Sequence, residues 1–131
     1  ARFGLGDPRG AIEDYSRAIE RYPESAICFV RLGDIYRRRS MPDDARAMYE
    51  RAVELDSNDP ATLAQLADLY MSEGRVKGAL RLLEHAVQVD PEHAEANMLL
   101  GNVYMKLGKS KQAAQQYERS AALSKPMSVV G

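Results

Sequence analysis

Apolar positions along this chain recur at helical spacing in short blocks, and each block ends at a glycine, a proline or a cluster of turn formers. Ala11, Ile12, Tyr15, Ala18 and Ile19 predict a first helix, stopped by Pro23. Ser25, a residue suited to an N-cap, opens a second helix whose apolar face is Phe29, Leu32, Gly33, Ile35 and Tyr36. After Ser40 and the restart at Met41-Pro42, the stripe continues as Ala45, Met48, Tyr49, Ala52, Val53 and Leu55. The cluster Asp56-Ser57-Asn58-Asp59-Pro60 then predicts a turn. The next pair of stripes is Leu63, Leu66, Ala67, Leu69, Tyr70 and, past Gly74, Ala79, Leu80, Leu83, Ala86, Val87, closed by Asp90-Pro91. A last pair runs Leu100, Gly101, Val103, Tyr104 and, past Gly108, Ala113, Tyr117, Ser120, Ala121, Leu123. No stretch alternates with the period of a strand, and the tail after Lys125-Pro126 has no period.

These blocks are copies of one another. Ala11, Ala45, Ala79 and Ala113 are separated by 34 residues each, as are Tyr36, Tyr70 and Tyr104, and the series Tyr15, Tyr49, Leu83, Tyr117 has the same interval. A repeat of this length is a helix pair that cannot bury its apolar face alone, so copies stack. The copies divide the chain into a half repeat at 1–24, full repeats at 25–59, 60–93 and 94–125, and a tail at 126–131. Gly6 aligns with Gly74 and Gly108, positions expected to end a helix in the left-handed conformation, and Asp7 is placed to cap the helix that follows. Gly33, Ala67 and Gly101, with the alanine series, are expected where larger side chains would hold paired helices apart. Because the first copy lacks its first half and Ala1 is not an initiator Met, the chain is expected to be a processed product or a piece of something longer.

The pattern of Leu-Gly (or Leu-Ala), then Tyr, in the first helix, and Ala, a large residue and Ala in the second, resembles the tetratricopeptide repeat family. Phe29, Leu32-Gly33, Tyr36, Ala45, Tyr49 and Ala52 carry it in one copy. Leu63, Leu66-Ala67, Tyr70, Gly74, Ala79, Leu83, Ala86 and Pro91 carry it in the next. Leu100-Gly101, Tyr104, Gly108, Ala113 and Tyr117 carry it in the last, so the likeness extends over residues 6–124. It implies an all-α fold, a right-handed α-solenoid of stacked antiparallel helix pairs with three full repeats and one half repeat. Asn97 departs from a bulky apolar position, Ser57 from the closing Pro and Ser120 from the last Ala; each is expected to loosen packing slightly. No polar capping helix follows the last copy, so its second helix is expected to end in an exposed apolar strip, and the chain to self-associate through its uncapped ends.

The resemblance also implies a concave groove, lined by the first helix of each pair, that binds a peptide or partner protein. In this register the groove positions are Ile27, Val30, Arg31, Asp34 and Arg37; then Ala61, Ala64, Gln65, Asp68 and Met71; then Glu95, Met98, Leu99, Asn102 and Met105. The mixture suits an extended or helical peptide with apolar anchors, since methionine adapts to irregular partners. Family members that hold the C-terminal carboxylate of heat-shock proteins use Lys, Asn and Arg there; Val30, Asp34, Gln65, Glu95 and Leu99 stand at the corresponding positions, so that clamp is not expected. Arg37-Arg38-Arg39 is read either as a dock for an acidic or phosphorylated peptide or as a solvated helix end, where cations suit the macrodipole.

Composition narrows the function further. A chain of 131 residues, 45% hydrophobic and 28% charged, is long enough for a folded repeat array. Its formal charge of −1 gives no general pull toward nucleic acid, and the basic run lacks interleaved aromatic residues. No apolar run reaches the length of a membrane helix. The single Cys28 precludes an intrachain disulfide and fits a reducing compartment, so a cytoplasmic location is expected. His85 and His93 are eight apart and read as surface residues; no ligand set for a metal, no phosphate loop and no activated nucleophile is found, so neither a cofactor nor catalysis is expected. The chain is read as a scaffold or adaptor. The alternatives are a regulatory or substrate-recruiting segment of a larger enzyme, such as a glycosyltransferase, or a self-assembling structural protein.

Overall fold

Three left-handed residues, 34 apart, organise the local structure. Gly74 has φ +80° and Gly108 +75°, and Ser40 takes the equivalent conformation at φ +59°. At each, the following amide reaches back to a tyrosine carbonyl: Met41 N–H to Tyr36 O at 2.9 Å, Arg75 to Tyr70 at 2.8 Å, Lys109 to Tyr104 at 2.8 Å. The left-handed residues themselves donate to the carbonyls of Arg37, Met71 and Met105, which completes a Schellman cap three times. Ser40 adopts this conformation with a β-carbon, at a steric cost glycine does not have. Ser40→Gly is therefore expected to stabilise the fold by about 1 kcal/mol and raise Tm by a few degrees in a thermal melt.

The computed structural model of the chain describes residues 8–124. Among these residues there are seven α-helices and no strand: α1 Pro8–Arg21, α2 Ala26–Arg38, α3 Pro42–Leu55, α4 Pro60–Ser72, α5 Val76–Val89, α6 Ala94–Lys106 and α7 Ser110–Ser124. The expectations for Gly6, Asp7 and the tail lie outside the described residues. The chain divides between Ser57 and Asn58 into two compact bodies. In the first, α2 packs against α1 and α3; in the second, α6 packs against α4, α5 and α7.

Each body has its own core. Phe29, Leu32, Ala45, Tyr49 and Ala52 are buried in the first; Leu63, Leu66, Ala67, Ala79, Leu83, Ala86, Leu100, Val103 and Ala113 are buried in the second. Two contacts explain the small residues. A β-carbon on Gly33 would lie 2.7 Å from Cε1 of Tyr49, and one on Gly101 would lie 2.8 Å from Cε1 of Tyr117. Where the register puts Leu83 in place of a tyrosine, it also puts Ala67 in place of a glycine, and both are fully buried. Small and large residues are matched pair by pair.

Several local expectations are corrected. Ser25 occupies the N-cap of α2 with extended backbone but makes no capping bond; its hydroxyl donates to Cys28 Sγ at 3.3 Å. Asp59 does cap α4, accepting from Ala61 N–H at 3.2 Å and from the Thr62 hydroxyl at 2.8 Å. His93 is a cap rather than a plain surface residue: its Nδ1 accepts from Ala96 N–H at 3.1 Å at the start of α6. Asn97 and Ser120 are buried and each donates to backbone carbonyls, whereas Asn97 Oδ1 is buried without a hydrogen-bond partner. The Asn97 amide donates to Pro91 O at 3.0 Å and His93 O at 2.9 Å, and the Ser120 hydroxyl donates to Ala94 O at 2.9 Å, tying α7 to the start of α6. The apolar surface that α7 exposes consists of Ala114, Ala121, Ala122 and Leu123. Its exposed side chains are polar or alanine, with Leu123 as the one large exception among the described residues.

Candidate functional site

Equivalent faces of α2 in the first body and of α4 and α6 in the second carry different chemistry. On α2, position 34 is an aspartate whose Oδ1 accepts from the Tyr49 hydroxyl at 2.5 Å, while Oδ2 lies 3.6 Å from Arg31. Burial, then the hydrogen bond and charge of Asp34, push the Tyr49 hydroxyl well above its ordinary value, with Arg37 opposing more weakly. Asp34, Arg31 and Arg37 thus belong to one internal network around Tyr49. The three consecutive arginines differ accordingly: Arg37 is half-buried toward that network, whereas Arg38 and Arg39 are exposed at the helix end. Of the remaining predicted positions on α2, Val30 is half-buried and Ile27 is 55% exposed.

The same tyrosine device recurs in the second body with neutral partners. The Tyr117 hydroxyl donates to Asn102 Oδ1 at 2.5 Å. Around it the register replaces the arginines with apolar residues, Leu99 at the position of Arg31 and Met105 at the position of Arg37. The consequence is an open cavity of about 520 Å³ lined by Asp68, Met71 and Ser72 of α4, by Leu99, Asn102, Met105 and Lys106 of α6, and by Tyr117 of α7. Gly101 is what lets the Tyr117 ring lie this close to α6, since any β-carbon there would meet it.

Of the positions predicted to line a groove, this cavity brings together Asp68, Met71, Leu99, Asn102 and Met105. Met105 is 54% exposed, whereas Leu99 is 8% exposed and offers only an edge. Met98, 43% exposed, and the exposed Glu95 lie on α6 outside the lining, as does the half-buried Gln65 on α4. Ala61 is exposed, but Ala64 is fully buried and presents no surface, which corrects its assignment to the groove. Ser72, Lys106 and Tyr117 were not expected. Ser72 and Lys106 are one residue beyond Met71 and Met105 in the same 34-residue register, so extending each stripe by a position finds them. Tyr117 reads from sequence as core alone because its spacing shows the ring's burial and not the reach of its hydroxyl.

The histidines and the cysteine stand apart. His85 Nε2 is 3.1 Å from Asn58 Oδ1, and Cys28 is half-buried beside Ser25. Among the described residues no three His, Cys, Asp or Glu side chains are grouped to hold a metal ion, and no helix is long and apolar enough to cross a membrane.

Helix pairs that end in repeated Schellman caps, pack small residue against large and recur at 34 residues define a helical repeat protein. The chain belongs to the tetratricopeptide repeat family: family models described as tetratricopeptide repeat match residues 1–60 and residues 70–123. The crystal structure of MamA is similar at 25% identity and a TM-score of 0.83, covering 91% of this chain and 70% of that one. The Pseudomonas aeruginosa pilF structure is similar at 26% identity and a TM-score of 0.76, covering 88% of this chain and 55% of that one. The second tetratricopeptide domain of Spaghetti (RPAP3), bound to the HSP90 peptide SRMEEVD, shares the fold at 22% identity and a TM-score of 0.72, over 76% of this chain and 92% of that domain. No curated protein matches by sequence. The chain therefore has the all-α tetratricopeptide fold, and it spans only part of the length of MamA and pilF.

Proposed function

We propose that this chain is a non-catalytic protein-interaction module, a scaffold or adaptor built from three repeats and a half, and that it holds a peptide segment of a partner on the α4 and α6 face. The observation that carries the proposal is the cavity beside Tyr117, where exposed methionine meets fixed polar groups. A mostly apolar concavity with a few oriented polar atoms is what a side-chain anchor requires. Methionine, unbranched and polarizable, fits anchors of varied shape. The fold-level likeness to a domain bound to the peptide SRMEEVD supports peptide binding as a use of this architecture. The acidic tail itself is a poor candidate here, because Val30, Asp34, Gln65, Glu95 and Leu99 supply no cation where the family's clamp needs them.

Met105→Asp tests the assignment. The side chain is 54% exposed, so the fold tolerates the change and far-UV circular dichroism stays as it was. Retention of partner protein from an extract of the source organism is expected to fall about tenfold, since a charge then stands where an apolar anchor docks. Unchanged retention would remove the site from α6.

A further inference from the structure

The polarity of the cavity beside Tyr117 follows from which of its side chains are already occupied. Two charged side chains line it. Asp68 on α4 is engaged by an interaction within the chain. Lys106, exposed as the last residue of α6, forms no ion pair among the described residues. The charge left for a ligand is therefore the cation. Asn102, four residues before it, adds to the same side. The Tyr117 hydroxyl donates to Asn102 Oδ1, so the two N–H groups of Nδ2 are left over, with no partner among the described residues. A tyrosine donates in the same way in the first body, where the acceptor is the carboxylate of Asp34. Residues three and four apart share a helix face, so the amide donors, the Met105 thioether and the Lys106 ammonium lie together on α6. Met71 of α4 adds a second thioether to the lining.

We infer that the segment recognised here carries a glutamate or aspartate beside an apolar residue. Its side-chain carboxylate meets Lys106 and the Asn102 amide, and the apolar neighbour meets Met105 and Met71. The inference rests on the binding role proposed above and adds the class of partner to it. The acid is internal to the segment, because the cavity is open and lets a chain continue past it. Lys106 is also none of the positions at which the family's tail clamp holds a chain end. The first body offers no equivalent donor, since position 34 is a carboxylate that has no N–H to give and repels a second acid.

The chain contains no tryptophan, so a tryptophan placed as the apolar neighbour reports its own burial without background. Three probes blocked at both ends serve, acetyl-Ala-Trp-Glu-Ala-Ala-amide and the same peptide with Gln or Lys for Glu. Titrated with the whole chain at low ionic strength, the glutamate probe is expected to show a saturable blue shift of emission. It binds about fivefold more tightly than the glutamine probe, as one partly exposed ion pair provides, and the lysine probe binds most weakly. The preference shrinks at high salt, and Lys106→Gln abolishes it. Asn102→Asp abolishes it too, with far-UV circular dichroism unchanged, because it keeps an acceptor for the Tyr117 hydroxyl, as Asp34 does for Tyr49, and removes the donors. Equal binding of the glutamate and glutamine probes, or a preference that survives Lys106→Gln, overturns the inference while leaving the cavity as a docking site. A glutamine probe with a free C-terminal carboxylate that matches the blocked glutamate probe overturns the internal acid in favour of a chain end. Failure of every probe, with partner capture still sensitive to Met105→Asp, overturns the acidic class and spares the binding role. Failure of every probe with capture insensitive to Met105→Asp overturns both.

Discussion

Tyr49→Ala is expected to destabilise the chain by about 3–5 kcal/mol in urea unfolding, the range for removing a fully buried large ring. Three features place Tyr49 at that upper range. Its side chain is completely inaccessible, its ring lies against the bare backbone of Gly33, and its hydroxyl donates to Asp34. Truncation therefore opens a cavity, exposes apolar surface in it and releases a carboxylate from a hydrogen bond. Since a small domain's whole margin is about 5–15 kcal/mol, this one change is expected to leave much of the chain unfolded at 37 °C. Tyr49→Phe separates the contributions: it keeps the ring and loses only the charged hydrogen bond, at about 1.5–3 kcal/mol.

Gly33→Ala is the second large effect, expected at about 1–3 kcal/mol from overpacking. The added carbon would sit 2.7 Å from the Tyr49 ring, which cannot withdraw because the ring is enclosed. The chain itself suggests the remedy. Its repeat at 60–93 carries Ala67 and Leu83 at the same two places, both fully buried. Gly33→Ala combined with Tyr49→Leu should therefore cost less than the sum of the single changes, with a coupling of about 1 kcal/mol or more in a double-mutant cycle. Additive losses would mean that the glycine is there for another reason.

The helix pairs were legible because every signal repeats at the same interval. Burial spacing, the glycines at 74 and 108 and the alanines at 45, 79 and 113 all agree, and each matches the burial or backbone angle found. Position 40 shows why such reading works even where a residue is wrong, since the register imposes a left-handed serine where glycine belongs. What was not legible depends on where single polar atoms point. The spacing marks Asn97 and Ser120 as departures from the core pattern but does not show their bonds to backbone carbonyls, and His93 looks like a surface residue until its ring nitrogen meets Ala96. Stripes along one helix identified Met71, Asn102 and Met105, but the cavity also needs Tyr117 from α7. No spacing on α4 or α6 points to a hydroxyl on another helix.

Five methionines among the described residues give a direct test of where the partner lies. Met41 and Met48 belong to the first body, and Met71, Met98 and Met105 to the second. In a chain labelled with 13C at the methionine methyl groups, saturation with the binding peptide is expected to shift the Met71 and Met105 resonances most. Met98 should move less, and Met41 and Met48 should stay in place. Shifts confined to Met41 and Met48 would contradict the assignment of the docking face to α4 and α6.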